Sequence, residues 1–247
     1  MTNQHIQTTQ HYTVGYNEID CLGNLKITAL AQYMQEIAAQ NVAPWGLDTH
    51  ELIEKGYAWV LARLQMEIQH LPKKGDVFEI MTYPKAKDKY FIYRAFEMYN
   101  QQKDLIATAY THWTVIDLKK RTMIALPDFV KEQMITALED FKPEKFPKFE
   151  NITTPLISNT YQVQWYDLDQ NMHTNNTIYL KWMVESMPIE VLQQKVLTKL
   201  EVMYKAESLW QETLLVDTQP INEYTFNHQI KNQQKDTLLL QAQTTWI

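Results

Sequence analysis

The sequence contains an internal repeat, and this repeat limits the folds that the chain can adopt. Residues 18–20 read EID and residues 167–169 read DLD, so the two copies start 149 residues apart. The motif NQQKD occurs at 100–104 and again at 232–236, and each copy is followed by an apolar stretch that ends in a tryptophan. A further match, at the first offset, pairs YMQE at 33–36 with WMVE at 182–185. Matches in the same order indicate two halves of similar structure.

Each half has the same predicted layout, which is a short strand, one helix and four further strands. The first helix is indicated by apolar residues three and four positions apart, namely Ile27, Leu30, Ala31, Met34, Ile37 and Ala38. The NQQKD segments lie where two strands must reverse, so we predict hairpin turns there. The predicted strands are 12–16, 58–68, 76–83, 90–99 and 105–116 in the first half, and 162–166, 195–206, 213–219, 225–232 and 238–246 in the second, whose helix is predicted at 176–187.

One helix beside a long antiparallel sheet, built twice, is typical of a helix wrapped by a curved sheet. We therefore expect an α+β chain with two hot-dog domains in tandem. Residues 1–130 form the predicted N-terminal domain, and residues 156–247 form the predicted C-terminal domain. The segment 131–155 between them contains KPEKFPKFE and is rich in proline, which is typical of a linker.

The composition argues against several classes of function. The net charge is −6, whereas nucleic-acid-binding proteins generally carry a basic surface, so we expect no nucleic-acid partner. Only five glycines occur, and the chain has no Gly-x-Gly-x-x-Gly or Gly-Lys-Ser/Thr segment to hold a nucleotide phosphate. The histidines show neither HxH nor HExxH spacing, so we expect no metal and no cofactor. A Gly-x-Ser-x-Gly turn, which marks one class of serine hydrolase, does not occur either.

No signal for secretion or membrane insertion is visible in the sequence. The first residues, MTNQHIQTTQHY, are polar, and no run approaches the roughly 18 apolar residues of a membrane helix. Cys21 is the only cysteine, so the chain cannot form an internal disulfide and suits a reducing compartment. We therefore expect a cytoplasmic protein without membrane insertion.

The densest group of reactive side chains is DLDQNMHTNN at 167–176, which contains two acids, a histidine and three asparagines. Asp and Asn also favour turns and helix caps, so a purely structural loop is the competing interpretation. The stretch is followed by Tyr179, Trp182 and Glu185-Ser186, and later by a predicted strand that ends in Tyr204-Lys205-Ala206-Glu207.

These two segments closely resemble the signature of the acyl-acyl carrier protein (acyl-ACP) thioesterases. In the first half, GYAWVLARLQMEI, LPKKGDVFEI and the strand containing Arg94 resemble the N-terminal hot dog of that family. The resemblance covers nearly the whole chain. It implies hydrolysis of the thioester that joins a fatty acyl chain to acyl carrier protein (ACP), which would be the partner.

Carried over by position, the resemblance implies Asp169, Asn171, His173 and Glu207 as the catalytic residues. The chain departs from the plant members in two ways. Ser208 stands where the plant members carry a cysteine, which counts against a covalent thiol mechanism. The chain also begins directly on the domain, without a transit peptide, as a bacterial cytosolic enzyme would.

Thioester hydrolysis needs a base for water, donors for the developing oxyanion and a proton for the departing thiolate. Glu207 or Asp169 can serve as the base if burial raises the pKa of the carboxylate, and the sequence does not choose between them. Asp169 acting as a nucleophile through an anhydride is a further route. Asn171 can position the water or the carbonyl, and His173 can protonate the thiolate.

Three further residues, Asn175, Asn176 and Trp182, are candidate substrate contacts beside the catalytic set. For Asn175 and Asn176, capping of the helix that follows is the stronger interpretation, because asparagine is a favoured N-cap residue.

The repeat provides a test of which residues only build the turn, because such residues should be kept in both copies. The aligned pairs are Asp20 with Asp169, Leu22 with Asn171, Asn24 with His173 and, when Asp76 is aligned with Glu212, Leu71 with Glu207. Only the acid is kept. The first half is therefore interpreted as a degenerate copy that has lost its site and shapes the acyl pocket.

Two other functions fit the same fold, namely an acyl-CoA thioesterase and a non-hydrolytic acyl-binding module. The set of Asp, Asn, His and Glu argues against the module, because a protein that only binds an acyl group needs no residue to activate water. Two hot dogs on one chain already form the usual paired unit, and a homodimer of that unit is a further hypothesis. The length and saturation of the acyl chain depend on the depth of the tunnel, which the sequence does not specify.

Overall fold

The computed structural model describes residues 7–134 and 146–247, which form two compact units. The first unit contains the described residues up to 25, then 30–64 and 69–134, and the second contains 26–29, 65–68 and 146–247. The predicted linker, 131–155, includes residues 135–145, which lie outside the described residues. None of the helices in the described ranges is both long enough and apolar enough to cross a membrane.

The first half of the chain combines one long helix with an antiparallel sheet. Its elements are β1 (Thr8–Thr13), α1 (Ile27–Val42), α2 (Thr49–Glu54), β2 (Tyr57–Ile68), β3 (Val77–Lys87), β4 (Phe91–Asn100), β5 (Leu105–Asp117), β6 (Thr122–Ile124) and α3 (Asp128–Gln133). The strands lie in the order β1-β3-β4-β5-β2, and the short β6 pairs with β5.

Helix α1 packs on one face of this sheet through aromatic and polar contacts. The ring of Tyr33 lies 4.3 Å from that of Tyr12 and 5.6 Å from that of Phe78, centroid to centroid. Near the other end of the helix, Asn41 Oδ1 accepts a hydrogen bond of 2.8 Å from Nη1 of Arg94 on β4. Arg94 is buried, and this burial lowers its pKa to about 9. The interior of the first unit therefore contains a cation as well as apolar side chains.

The second half repeats the arrangement with a shorter helix. Its elements are β7 (Ile157–Gln162), α4 (Asn176–Glu185), α5 (Ile189–Gln194), β8 (Leu197–Tyr204), β9 (Thr213–Pro220), β10 (Thr225–Asn232) and β11 (Thr237–Trp246). The strands lie in the order β8-β11-β10-β9-β7. Helix α4 packs on the sheet through Trp182, whose ring stacks on Tyr161 at 5.4 Å, and it is followed by Ser186, whose Oγ accepts a hydrogen bond from Asn159 at 3.2 Å.

The two NQQKD segments form the predicted turns between β4 and β5 and between β10 and β11, so this prediction is confirmed. The asparagine at the start of each segment stabilises the turn. Asn100 Oδ1 accepts a hydrogen bond of 2.9 Å from the backbone N–H of Asp104. In the second turn, Asn232 Oδ1 accepts one of 2.9 Å from the N–H of Lys235. A side-chain oxygen that bonds a backbone N–H two to four residues on is the usual reason for asparagine in turns.

The predicted strands at 12–16 and 162–166 are wrong, and they are wrong in the same way in both halves. The strand before each helix ends early, at Thr13 or Gln162, and the aromatic residues that follow begin a short 3-10 turn. Tyr16 and Trp165 are 74% and 58% exposed. Their aromatic character therefore reflects a surface position and does not indicate a strand. Helices α2, α3 and α5 and strand β6 are also absent from the prediction, because each is too short to show a periodic pattern.

Candidate active site

The turn that carries the predicted catalytic residues is built by Asp169. Its Oδ1 accepts hydrogen bonds from the backbone N–H of Asn171 at 2.8 Å and of His173 at 3.1 Å. The N–H of Asp169 donates to the carbonyl of His173 at 2.8 Å, which closes the turn. Met172 adopts a φ of 62°, a left-handed conformation that the closed turn requires.

The first half contains the same turn around Asp20. Its Oδ1 accepts hydrogen bonds of 2.9 Å from the N–H of Leu22 and of Asn24, and its own N–H donates to the carbonyl of Asn24 at 2.8 Å. Gly23, with a φ of 85°, occupies the left-handed position. The shared acid therefore builds the same backbone turn in both halves, whether or not histidine is present.

A second segment, which follows β8, brings Glu207 to the turn. The backbone N–H of Thr174 donates to the carbonyl of Ser208 at 2.9 Å, and His173 pairs with Leu209 in an isolated β-bridge. These backbone contacts place Oε2 of Glu207 3.1 Å from Nε2 of His173. The structure thus joins two side chains that lie far apart in the sequence.

The His173–Glu207 pair is accessible but partly sheltered. The side chain of His173 is 21% exposed and that of Glu207 is 40% exposed. A reacting group must approach a general base within hydrogen-bonding distance, so a pair at the surface of the fold can meet both water and substrate. The contact itself is of hydrogen-bonding length, so each side chain orients the other.

The other predicted residues occupy different positions around this pair. Asn171 lies on the exposed part of the turn. Asn175 is the N-cap of α4, since its Oδ1 accepts hydrogen bonds of 2.9 Å from both N and Oγ1 of Thr177. Trp182 is buried between Tyr161 and Tyr179, which favours a packing role over a substrate contact.

Asn176 is the first residue of α4, and its backbone offers a donor. Its carbonyl accepts a hydrogen bond of 3.4 Å from the hydroxyl of Tyr204. Its N–H meets no acceptor within residues 7–134 and 146–247. Unpaired N–H groups at the start of a helix favour a negative charge, so this N–H can serve an oxyanion.

Ser208 points away from the exposed pair and into the protein. Its side chain is fully buried and contacts the hydroxyls of Thr174 and Tyr179. In the sequence, Ser208 is only a departure from the plant pattern, and no role is predicted for Thr174 or Tyr179. The internal repeat could have indicated a role for Thr174 and Tyr179, because the first half has Leu25 and Leu30, without hydroxyl groups, at the matching positions.

Within the described ranges, no group of three or more His, Cys, Asp or Glu side chains is arranged to hold a metal ion.

The chain matches two models of one protein family. Residues 5–134 match the acyl-ACP thioesterase N-terminal domain, and residues 151–247 match the acyl-ACP thioesterase C-terminal domain. Among curated proteins, it is 27% identical over 211 residues to a chloroplastic palmitoyl-ACP thioesterase of Cuphea hookeriana, covering 80% of this chain and 51% of that protein. It is 24% identical to oleoyl-ACP thioesterase 2 of Arabidopsis thaliana, covering 86% and 60%. The chain thus spans about half the length of the curated relatives it matches.

Solved structures show the same fold. An acyl-ACP thioesterase from Bacteroides thetaiotaomicron superposes with a TM-score of 0.88 at 23% identity, over 100% of both chains. The 12:0-ACP thioesterase from Umbellularia californica superposes with a TM-score of 0.88 at 19% identity, over 98% of this chain and 97% of that one. The predicted fold, a tandem α+β double hot-dog, is confirmed, as is the resemblance found in the sequence. The chain belongs to the acyl-ACP thioesterase family.

Proposed function

We propose that this protein hydrolyses the thioester of fatty acyl-ACP and releases a free fatty acid. The observation that carries the proposal is the 3.1 Å contact between Nε2 of His173 and Oε2 of Glu207, in a chain that matches both domains of the family. A binding module would need an acyl pocket but no acid–base pair at the surface.

In the proposed reaction, Glu207 is the base. A carboxylate has about four lone-pair sites, so Glu207 can accept a hydrogen bond from His173 and another from water. It takes one proton from the water, whose oxygen attacks the thioester carbonyl carbon. The carbon–sulfur bond breaks as the tetrahedral intermediate collapses, and the thiolate takes a proton from the His173–Glu207 pair. The acid product then releases its own proton to solvent.

The negative charge that forms on the carbonyl oxygen needs donors. We assign this role to the N–H of Asn176 at the start of α4 and to the side-chain amide of Asn171 on the turn. Donors that already point at the developing charge stabilise the transition state without reorganisation.

The geometry favours Glu207 over Asp169 as the base. Asp169 Oδ1 already accepts two backbone hydrogen bonds, and Asp20 makes the same pair of bonds in the half where Asn24 replaces histidine. We therefore propose that Asp169 shapes the turn and acts on catalysis through His173. In the same proposal residues 156–247 carry the chemistry and residues 1–130 shape the acyl pocket.

We propose ACP as the carrier and a reducing cytoplasm as the compartment. The lone Cys21 is exposed, and an exposed free thiol persists most easily where thiols stay reduced. A homodimer remains a hypothesis that the molecular mass in solution tests directly.

The test is hydrolysis of a panel of acyl-ACP and acyl-CoA thioesters by the wild type, His173→Ala and Glu207→Gln. We expect the wild type to release fatty acid from acyl-ACP, and each variant to be slower by about a hundredfold or more. His50→Ala is the matched control, because His50 forms a His–Glu contact of 3.5 Å with Glu54 on the exposed surface of α2. Preference for acyl-CoA would favour the other carrier, and no turnover of any thioester would favour the binding module.

A further inference from the structure

Three buried hydroxyl groups meet next to the candidate catalytic pair. Ser208 follows Glu207 in the chain, Thr174 follows His173, and Tyr179 lies on α4. Oγ of Ser208 lies 2.7 Å from Oγ1 of Thr174 and 2.8 Å from the hydroxyl of Tyr179. We call Thr174, Tyr179 and Ser208 the hydroxyl cluster. It ties the segment that carries Glu207 to the turn that carries His173 and to the helix behind both.

One arrangement of protons satisfies every contact in the hydroxyl cluster. Tyr179 donates to Oγ of Ser208, Ser208 donates to Oγ1 of Thr174, and Thr174 donates to the carbonyl of Ser208 at 3.2 Å. The N–H of Ser208 donates back to the Tyr179 hydroxyl at 3.1 Å. Burial raises the pKa of Tyr179, so its phenol keeps the proton that it donates. Linked hydrogen bonds in a buried site reinforce one another, which makes the cluster rigid.

The internal repeat shows that the fold does not require this cluster. The first half keeps the same backbone bond, from the N–H of Leu25 to the carbonyl of Pro72 at 2.8 Å. Its residues at the three cluster positions are Leu25, Leu30 and Pro72, which have no hydroxyl groups. That half also has no acid–base pair at the positions of Glu207 and His173. The hydroxyl cluster and the acid–base pair therefore occur together in one half and are replaced together in the other.

We propose that Ser208, held by Tyr179 and Thr174, is a positioning residue that fixes the distance between Glu207 and His173. The inference rests on the proposed hydrolysis and adds a residue that does not touch substrate. Because a displacement of about 1 Å can slow catalysis roughly a hundredfold, loss of the cluster should act on the chemical step. All three side chains of the hydroxyl cluster are buried, so we expect substrate binding to change little.

The first test compares Ser208→Ala and Tyr179→Phe with Ser186→Ala. Ser186 is the matched control because it is also fully buried, accepts a hydrogen bond, and directly follows the other end of α4. We expect kcat to fall about tenfold to a hundredfold in the two cluster variants, with KM nearly unchanged and with thermal stability close to that of Ser186→Ala. Ser208→Cys should recover part of the lost kcat, because a thiol is a weak donor and acceptor.

The second test does not depend on activity and follows the pair directly. In protein labelled with ¹⁵N-histidine, the ring signals of His173 are identified by their loss in His173→Ala. We expect Glu207→Gln to change these signals in the wild-type and Ser186→Ala backgrounds, and to change them much less in Ser208→Ala.

The outcomes separate the two proposals. A wild type that hydrolyses no thioester, with the ring-signal response lost only in Ser208→Ala, would contradict the proposed function and support the positioning role. An active wild type with an unchanged kcat and an unchanged ring-signal response in Ser208→Ala would overturn the positioning role. A loss of kcat in Ser186→Ala as large as that in Ser208→Ala would overturn it too.

Discussion

Nε2 of His173 lies 3.1 Å from Oε2 of Glu207, and each residue belongs to a different connecting segment of the second unit. The turn before α4 supplies the histidine, and the segment after β8 supplies the glutamate. In the first half, Asn24 and Leu71 stand at the matching positions. Two copies of one fold therefore differ at the two side chains that can move a proton.

Asp20 and Asp169 build the two matching turns. Replacing either acid should lower stability by a similar amount, whereas only the replacement of Asp169 should lower activity. Asp20→Asn and Asp169→Asn each weaken two backbone hydrogen bonds, so both should lower the free energy of unfolding by about 1–3 kcal/mol. Only Asp169→Asn should also lower kcat strongly, because only this turn carries His173. Urea unfolding and acyl-ACP hydrolysis measure the two effects. Loss of hydrolysis in Asp20→Asn as complete as in Glu207→Gln would contradict the interpretation of the first half as a degenerate copy.

Gly75 and Gln211 occupy matching turns, and substitutions there should show how much a side chain on a left-handed backbone lowers the free energy of unfolding. Gly75 has a φ of 84°, and its counterpart in the second half, Gln211, has a φ of 65°. A Cβ atom at Gly75 would meet no neighbour within 4 Å, so Gly75→Ala tests the backbone alone. We expect it to lower the free energy of unfolding by about 1 kcal/mol, and Gln211→Gly to raise it by less than that. Equal stability of Gly75→Ala and the wild type in urea would show that the turn relaxes.

Buried His228 should make the protein sensitive to acid. Its ring contacts Thr218 at 3.0 Å and Thr244 at 2.8 Å, and burial lowers its pKa to about 3. The folded state keeps this histidine neutral, whereas the unfolded chain binds a proton below about pH 6.5. The stabilisation is therefore complete above pH 6.5 and is lost as the pH falls toward 3, by at most about 1.4 kcal/mol per pH unit.

The measurement is the free energy of unfolding at pH 7.5 and pH 4.5. His228→Gln should lose less stability between these two values than the wild type does. Exposed His50→Gln is the control and should behave as the wild type. The same loss in His228→Gln as in the wild type would show that other groups govern the acid response.

Replacing Asn41 should destabilise the protein more than replacing Arg94, the arginine that it binds. Its side chain accepts a hydrogen bond from buried Arg94, and among the described residues no carboxylate contacts that guanidinium. Asn41→Ala leaves a buried cation with fewer partners and should cost about 3 kcal/mol. Arg94→Met removes the charge itself and should cost less, because an apolar side chain of similar length replaces it. Nη1 of Arg94 also donates to Oγ1 of Thr82 at 3.2 Å. Thermal unfolding of both variants tests this order, and the reverse order would mean that Arg94 is stabilised by more than its contacts with Asn41 and Thr82.

Much of the fold could be predicted because the repeat and the local patterns agree. The apolar spacing from Ile27 to Ala38 predicted α1, and the two NQQKD segments predicted their turns. The starts of the two halves could not be predicted in the same way. Tyr16 and Trp165 have high strand propensity, but nearby Glu18 and Asp167 accept hydrogen bonds from backbone N–H groups and fold each segment into a 3-10 turn.

The candidate site was predictable in its residues but not in its geometry. The resemblance indicated Glu207 and His173, and nothing in their spacing specifies a contact of hydrogen-bonding length. The hydroxyl cluster was harder to find, because Ser208, Thr174 and Tyr179 are ordinary residues of turns and helices. Their proposed role becomes visible only when the fold brings three hydroxyls together and when they are compared with Leu25, Leu30 and Pro72 at the matching positions of the first half.

The most direct test of the account is a double-mutant cycle on kcat for acyl-ACP hydrolysis, with His173→Ala, Glu207→Gln and the double variant. Two residues that act as one unit give strongly non-additive losses. We predict that each single variant is slower by about a hundredfold or more and that the double variant is hardly slower than the worse of the two. Losses that multiply, or a single variant that keeps the wild-type rate, would contradict a shared role for His173 and Glu207.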